Sequence, residues 1–111
     1  VTAVSGSGPA YFFYLMEAIE RVAVSEGLDP TTARTLTVET AIGAGRLALA
    51  SSDSLAVLRE QVTSPGGTTE AAINSLDESQ VSKSVGRAVN AAKDRSEALS
   101  QLLGTEDRDK T

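Results

Sequence analysis

Between Val62 and Leu76 the sequence VTSPGGTTEAAINSL brings turn chemistry, glycines and paired hydroxyls to the head of a helical stretch. Ser64 suits an N-cap, and Pro65 suits the first helical position, where its missing N–H is no loss. Gly66 and Gly67 have no side chains, so another molecule can approach their backbone closely. From Thr68 to Leu76 the spacing of Ala72, Ile73 and Leu76 is helical. A helix start offers free N–H groups and the positive end of the dipole, a fit for an anion such as a carboxylate. The hydroxyls of Thr68 and Thr69 can both donate and accept. The simpler reading is that SPGG only stops one helix and starts the next, since Gly and Pro punctuate most turns.

Composition narrows the chemistry. The chain has 111 residues, enough for one domain with a modest core. It has no histidine and no cysteine. A histidine general base, a Ser-His-Asp triad, the usual zinc ligands and thiol chemistry are therefore excluded within it. No metal site is expected. Any chemistry must use hydroxyls, carboxylates, Lys, Arg, Tyr or backbone. The net charge is −5, with acids and bases interspersed, which argues against nucleic acid and anionic membranes as partners. No apolar run approaches the ~20 residues a bilayer needs, and no signal peptide is evident. The lack of cysteine leaves the compartment open, with the cytoplasm as the expectation taken forward. The chain opens on Val1 and is expected to be a piece of something longer.

The elements that must position the 62–76 stretch all read as helices. Residues 1–5 are expected as an extended lead-in. Gly6-Ser7-Gly8-Pro9 signals a helix over 9–26, with Gly27 as its stop. That helix holds all four aromatics, Tyr11, Phe12, Phe13 and Tyr14, followed by Leu15 and Met16. Six consecutive apolar or aromatic residues cover every side of a helix. A second subunit is the natural cover; the alternative is an ordinary core helix with a tyrosine at the rim. Asp29-Pro30 restarts the chain as cap and first residue of a helix over 30–50. Its small residues Ala33, Thr37, Thr40, Ala41, Ala44 and Ala48 predict close packing. Gly43 and Gly45 would mark a close crossing, a kink or tolerated weakness. Ser52, Asp53 or Ser54 caps a short helix with Leu55, Leu58 and Val62 inward. Asp77 and Gln80 have the spacing of a capping box for a last helix ending near residue 103. Its stripe is Val81, Val85, Ala88, Ala92, Leu99 and Leu102. Arg95 falls in that stripe, either snorkelling from the core edge or pairing with a carboxylate of another subunit. Gly104 stops the helix, and 105–111 is expected as a polar tail. No stretch alternates like a strand pair, so the fold class is all-α.

The string VTSPGGTTEAAINSLD closely resembles the signature of pyrroline-5-carboxylate reductase. AVSGSGPAY at 3–11 resembles that family's entry into its C-terminal domain, and AVNAAKDRSEAL at 88–99 resembles its last helix. The resemblance covers nearly all of residues 1–103, in the family's order. It implies a helical C-terminal domain of the 6-phosphogluconate-dehydrogenase-like type that dimerises by interlocking helices, with dimers able to assemble further. It implies reduction of a cyclic imine, 1-pyrroline-5-carboxylate, to L-proline. The hydride would come from NADPH or NADH, bound mainly by an N-terminal Rossmann domain that this chain lacks. By itself the chain is then expected to be inactive. The same resemblance places Ser64, Gly66, Gly67 and Thr68 around the substrate carboxylate. Thr69 would hydrogen-bond the imine nitrogen as the residue of the chemical step. Two other readings remain at this point: a related helical hydroxyacid dehydrogenase, and a non-catalytic helical dimerisation module. The first is disfavoured because such enzymes place a lysine on the first long helix, and here none occurs before Lys83.

Overall fold

In the computed structural model every described element is a helix; the backbone is described for residues 2–109 and side-chain surroundings for 3–104. In order the elements are α1 (Thr2–Ser5), α2 (Gly8–Ser25), α3 (Pro30–Ala50), α4 (Leu55–Gln61), α5 (Thr68–Glu78) and α6 (Val81–Asp109). Contacts divide the chain into two compact units, Tyr11–Ile73 on one hand and Val1–Ala10 with Asn74–Thr111 on the other.

Caps form as expected at Gly27, Asp29 and Ser54. After α2 the N–H of Gly27 donates to Val24 O (3.0 Å) and that of Leu28 to Ala23 O (3.1 Å), while Gly27 takes φ 110°. This left-handed glycine stop satisfies the last carbonyls of the helix. Asp29 Oδ2 accepts from the Thr32 N–H (3.2 Å) at the start of α3, with Pro30 in the first turn. Ser54, one of the three candidates, caps α4 by accepting from the Val57 N–H (3.2 Å).

Several expectations are corrected. The lead-in is not extended: α1 packs on α6 within its unit and buries Ala3, a tertiary contact that a short polar-flanked stretch does not announce. Asp77 does not cap the last helix. Instead α5 runs on through Asp77 and Glu78, because each added residue gains a ladder bond. The chain then turns at Gln80, whose φ is 56°, and the Ser84 N–H bonds Gln80 O (3.1 Å). Nor does Gly104 stop α6, which continues to Asp109. Gly104 lacks the left-handed backbone of a stop, and a glycine with helical dihedrals only weakens a helix, by about 1 kcal/mol. The rest of the expected tail lies outside the described residues.

Burial is the other difference. Among the described residues the buried ones are Ala3, Gly8, Ala33 and Thr37, and no large side chain is fully buried. On α3 the small-residue face is partly realised: Ala33 and Thr37 are buried and Ala41 and Ala48 half-buried, but Thr40 and Ala44 are exposed. A Cβ at Gly43 or Gly45 would meet nothing within 4 Å, so neither marks a close crossing inside this chain. Leu55 and Val62 do not face inward; only Leu58 of that trio is half-buried. On α6 Val85, Leu99 and Leu102 stay exposed, as does Arg95, which forms no ion pair among the described residues. Glu17 and Arg21 pair on α2 (3.5 Å), on the surface, where such a pair adds only about 0.3–0.5 kcal/mol.

On α2, Phe12, Phe13, Tyr14 and Leu15 are each more than half exposed, so the ordinary core-helix reading fails. α2 and α3 line two shared grooves, one of about 380 Å³ bounded by Phe13, Met16, Glu20, Arg34, Thr37 and Val38.

Gln80 is the one residue other than glycine with a positive φ among those described, and its side chain is exposed. That conformation costs an L-residue about 1–2 kcal/mol. Gln80→Gly is therefore expected to stabilise the fold by about 1 kcal/mol, read as a raised melting temperature at fixed protein concentration.

Candidate functional site

The SPGG segment is a turn before it is a helix. The end of α4 is sealed by Thr63, whose N–H donates to Glu60 O (3.0 Å) and whose hydroxyl donates to Arg59 O (2.6 Å). Four residues then reverse the chain. The Gly67 N–H donates to Ser64 O (3.0 Å), Pro65 occupies the second position and Gly66 the third with φ +72°. Proline followed by a left-handed glycine is the pattern of a type II turn. The helix begins only at Thr68, and Gly67 stands at its N-cap, with its carbonyl accepting from the Ala71 N–H (3.3 Å).

This corrects the expected roles of Ser64 and Pro65. Ser64 closes the turn through its backbone carbonyl rather than capping through its hydroxyl, and Pro65 precedes the helix instead of starting it. The reason is local: a glycine able to take positive φ directly after proline favours the turn over a helical start. The glycines also acquire structural duties. Gly66 supplies the left-handed conformation. At Gly67 a Cβ would lie 3.1 Å from Ser64 O, so the turn itself presses on that position.

The free N–H groups expected at a helix start are present, moved along the chain. The first-turn N–H groups of α5, those of Thr68, Thr69 and Glu70, bond no acceptor among the described residues. The hydroxyls of Ser64, Thr68 and Thr69 likewise make no hydrogen bond there, and all three residues are exposed. Ser64, Gly66, Gly67, Thr68 and Thr69 are thus brought together on one turn and the helix start it feeds. Three unpaired donors at the positive end of an eleven-residue helix attract a carboxylate, and two neighbouring hydroxyls can reach a second polar atom beside it.

One residue was missed. Glu70 Oε1 accepts from the Gly66 N–H (3.2 Å), tying the first turn of α5 back to SPGG, and the residue is half-buried. An acidic residue three positions after the N-cap was the available signal. Among the described residues no cluster of His, Cys, Asp or Glu gathers as metal ligands, and no helix is long and apolar enough to cross a membrane. With every described element a helix, these residues do not form the strand–glycine–helix cradle of a dinucleotide.

A family model described as pyrroline-5-carboxylate reductase dimerisation matches residues 1–99. The chain belongs to that family. A pyrroline-5-carboxylate reductase of Pseudomonas aeruginosa strain PAO1 is 52% identical over 104 residues, which make up 94% of this chain and 38% of that protein. One of Vibrio alginolyticus is 42% identical over 104 residues, again 38% of its length. The chain therefore spans well under half of these relatives. Among solved structures, a pyrroline-5-carboxylate reductase of Coxiella burnetii is similar with a TM-score of 0.85 and 46% identity, covering 88% of this chain and 36% of that one. A Plasmodium falciparum pyrroline carboxylate reductase with NADP bound is similar with a TM-score of 0.84 and 32% identity, covering 87% and 39%. The all-helical architecture is thus the one these reductases share over the matched region. The hydroxyacid-dehydrogenase alternative is not the family matched.

Because Gly66 meets open space but sits at φ +72°, its replacement tests the turn alone. Gly66→Ala is expected to lower stability by about 1–2 kcal/mol, and Gly66→Asn by clearly less, since asparagine tolerates the left-handed region. Thermal denaturation of the two variants side by side measures this.

Proposed function

We propose that this chain is the substrate-binding and dimerisation part of a pyrroline-5-carboxylate reductase, which reduces 1-pyrroline-5-carboxylate to L-proline. The observation that carries the site is the trio of unpartnered N–H groups at the start of α5, next to two free threonine hydroxyls. The reaction needs a hydride at the imine carbon, a proton at the ring nitrogen, and a hold on the carboxylate so that the imine faces the hydride donor. NADPH or NADH supplies the hydride, held mainly by a Rossmann domain outside this chain; the NADP-bound relative supports a nicotinamide cofactor.

Within the chain the division of labour is chemical. The carboxylate takes the N–H groups of the first turn of α5, where charge-assisted bonds and the dipole act together. Thr68 contributes mainly its backbone, and Ser64, Gly66 and Gly67 shape the approach. Thr69, one residue further into the helix, places its hydroxyl beside the ring nitrogen. Threonine is a poor acid, so it orients the imine and relays a proton rather than supplying one outright.

The partner in this proposal is a second copy of the chain. Phe12, Phe13, Tyr14 and Leu15 present apolar surface on α2 that this chain leaves uncovered, and the family model is one of dimerisation. Large exposed apolar patches on a lone chain mark an interaction site. Sedimentation equilibrium of the isolated chain at micromolar concentration is expected to give a dimer, and Phe13→Glu is expected to dissociate or unfold it. A folded, soluble monomer would show that α2 needs no partner.

For the site, Thr69→Val keeps shape and branching but removes the hydroxyl. In the full-length enzyme it is expected to cost about 10²-fold in turnover with little change in melting, as for loss of a positioned hydrogen-bonding group. Thr68→Val is expected to stay within a few-fold of the parent. If Thr68→Val is the crippled variant, the two roles are wrongly assigned.

A further inference from the structure

The side chain that organises the carboxylate site is Glu70. We propose that Glu70 is a positioning residue: it holds the SPGG turn through the Gly66 N–H and thereby directs the incoming carboxylate to the first turn of α5. The proposal rests on the reading of residues 64–69 given above.

A glutamate at the third position of a helix ordinarily reaches back to the N–H of the N-cap residue. Here the N-cap is Gly67, and its N–H is already engaged by Ser64 O at 3.0 Å. Glu70 therefore extends one residue further and takes the Gly66 N–H at 3.2 Å. The five consecutive N–H groups from 66 to 70 are divided as a result. Those of Gly66 and Gly67 are consumed inside the turn, whereas those of Thr68, Thr69 and Glu70 are left for a ligand. Without the Glu70 bond, the Gly66 N–H would become a competing donor on the most permissive residue of the turn. A carboxylate could then settle one residue too early, away from Thr69. The half-burial of Glu70, beside exposed Thr68 and Thr69, fits a side chain folded back on its own turn rather than one extended into solvent.

Two conservative variants separate the hydrogen bond from the charge. Glu70→Gln keeps an acceptor oxygen at the same reach and removes the charge. Glu70→Asp keeps the charge but is one methylene too short to span to Gly66, and aspartate is well tolerated in a first helical turn. In the full-length enzyme, Glu70→Asp is expected to raise KM for the cyclic imine carboxylate about tenfold, the scale of one lost hydrogen bond. Glu70→Gln is expected to stay within about twofold. Amide exchange at Gly66 should quicken in Glu70→Asp only. A parent-like KM in Glu70→Asp, even with a lower melting temperature, would make Glu70 a helix cap and nothing more, overturning the proposal. Equal losses in the two variants would assign the effect to charge and overturn it as well. If the parent is active and Thr69→Val is crippled while both Glu70 variants are silent, the site reading stands and this proposal alone fails. If the parent does not turn over the cyclic imine, the site reading fails and takes the proposal with it.

Discussion

The constraint on which the rest of this structure depends is unburied apolar surface. Ordering a residue costs about 1–2 kcal/mol of backbone entropy, and burial of apolar area at about 25 cal/mol per Å² is what offsets it. Among the described residues the buried positions are small, Ala33 foremost, while the aromatic run of α2 stays open. The helices are well formed one by one: the glycine stop at Gly27, the Asp29 cap and the Ser54 cap each satisfy their ends. Local chemistry thus defines the elements, but the apolar surface that would hold them together is left facing outward. A chain of this kind fits membership of a dimerisation family, where the missing cover is another polypeptide.

The candidate site inherits its geometry from turn chemistry rather than from the core. SPGG lies between the sealed end of α4 and the first residue of α5, and its own bonds determine which N–H groups remain free. The turn closes on Ser64 O, Gly66 supplies a backbone conformation that other residues resist, and Glu70 fastens the turn to the helix it starts. Neither groove between α2 and α3 includes a residue of the turn.

Much of this was legible in the residues. Helix type and most boundaries followed from Gly, Pro and Asp at the ends of periodic stretches, because capping is a local affair of three or four residues. The candidate segment stood out through the likeness of its whole string to a family signature, since proline and paired glycines ahead of a helix also make ordinary turns. The register inside that segment was not legible. A serine before proline can cap a helix or open a turn, and the choice falls to Gly66, whose positive φ tips it toward the turn. The role of Glu70 was hidden for the same reason, because its partner is set by which N–H the turn leaves over.

What the sequence determined by itself, then, is the helices α2 to α6, the absence of histidine and thiol chemistry, and the family to which the chain belongs. Those depend on short-range preferences and on residue identity. Tertiary structure decided the rest. It folded the first residues into α1 against α6 and left α2 uncovered. Each of these turns on distant contacts or on their lack. An apolar stripe states that a face must be buried, but it does not say by what, because the hydrophobic effect has no direction and no address.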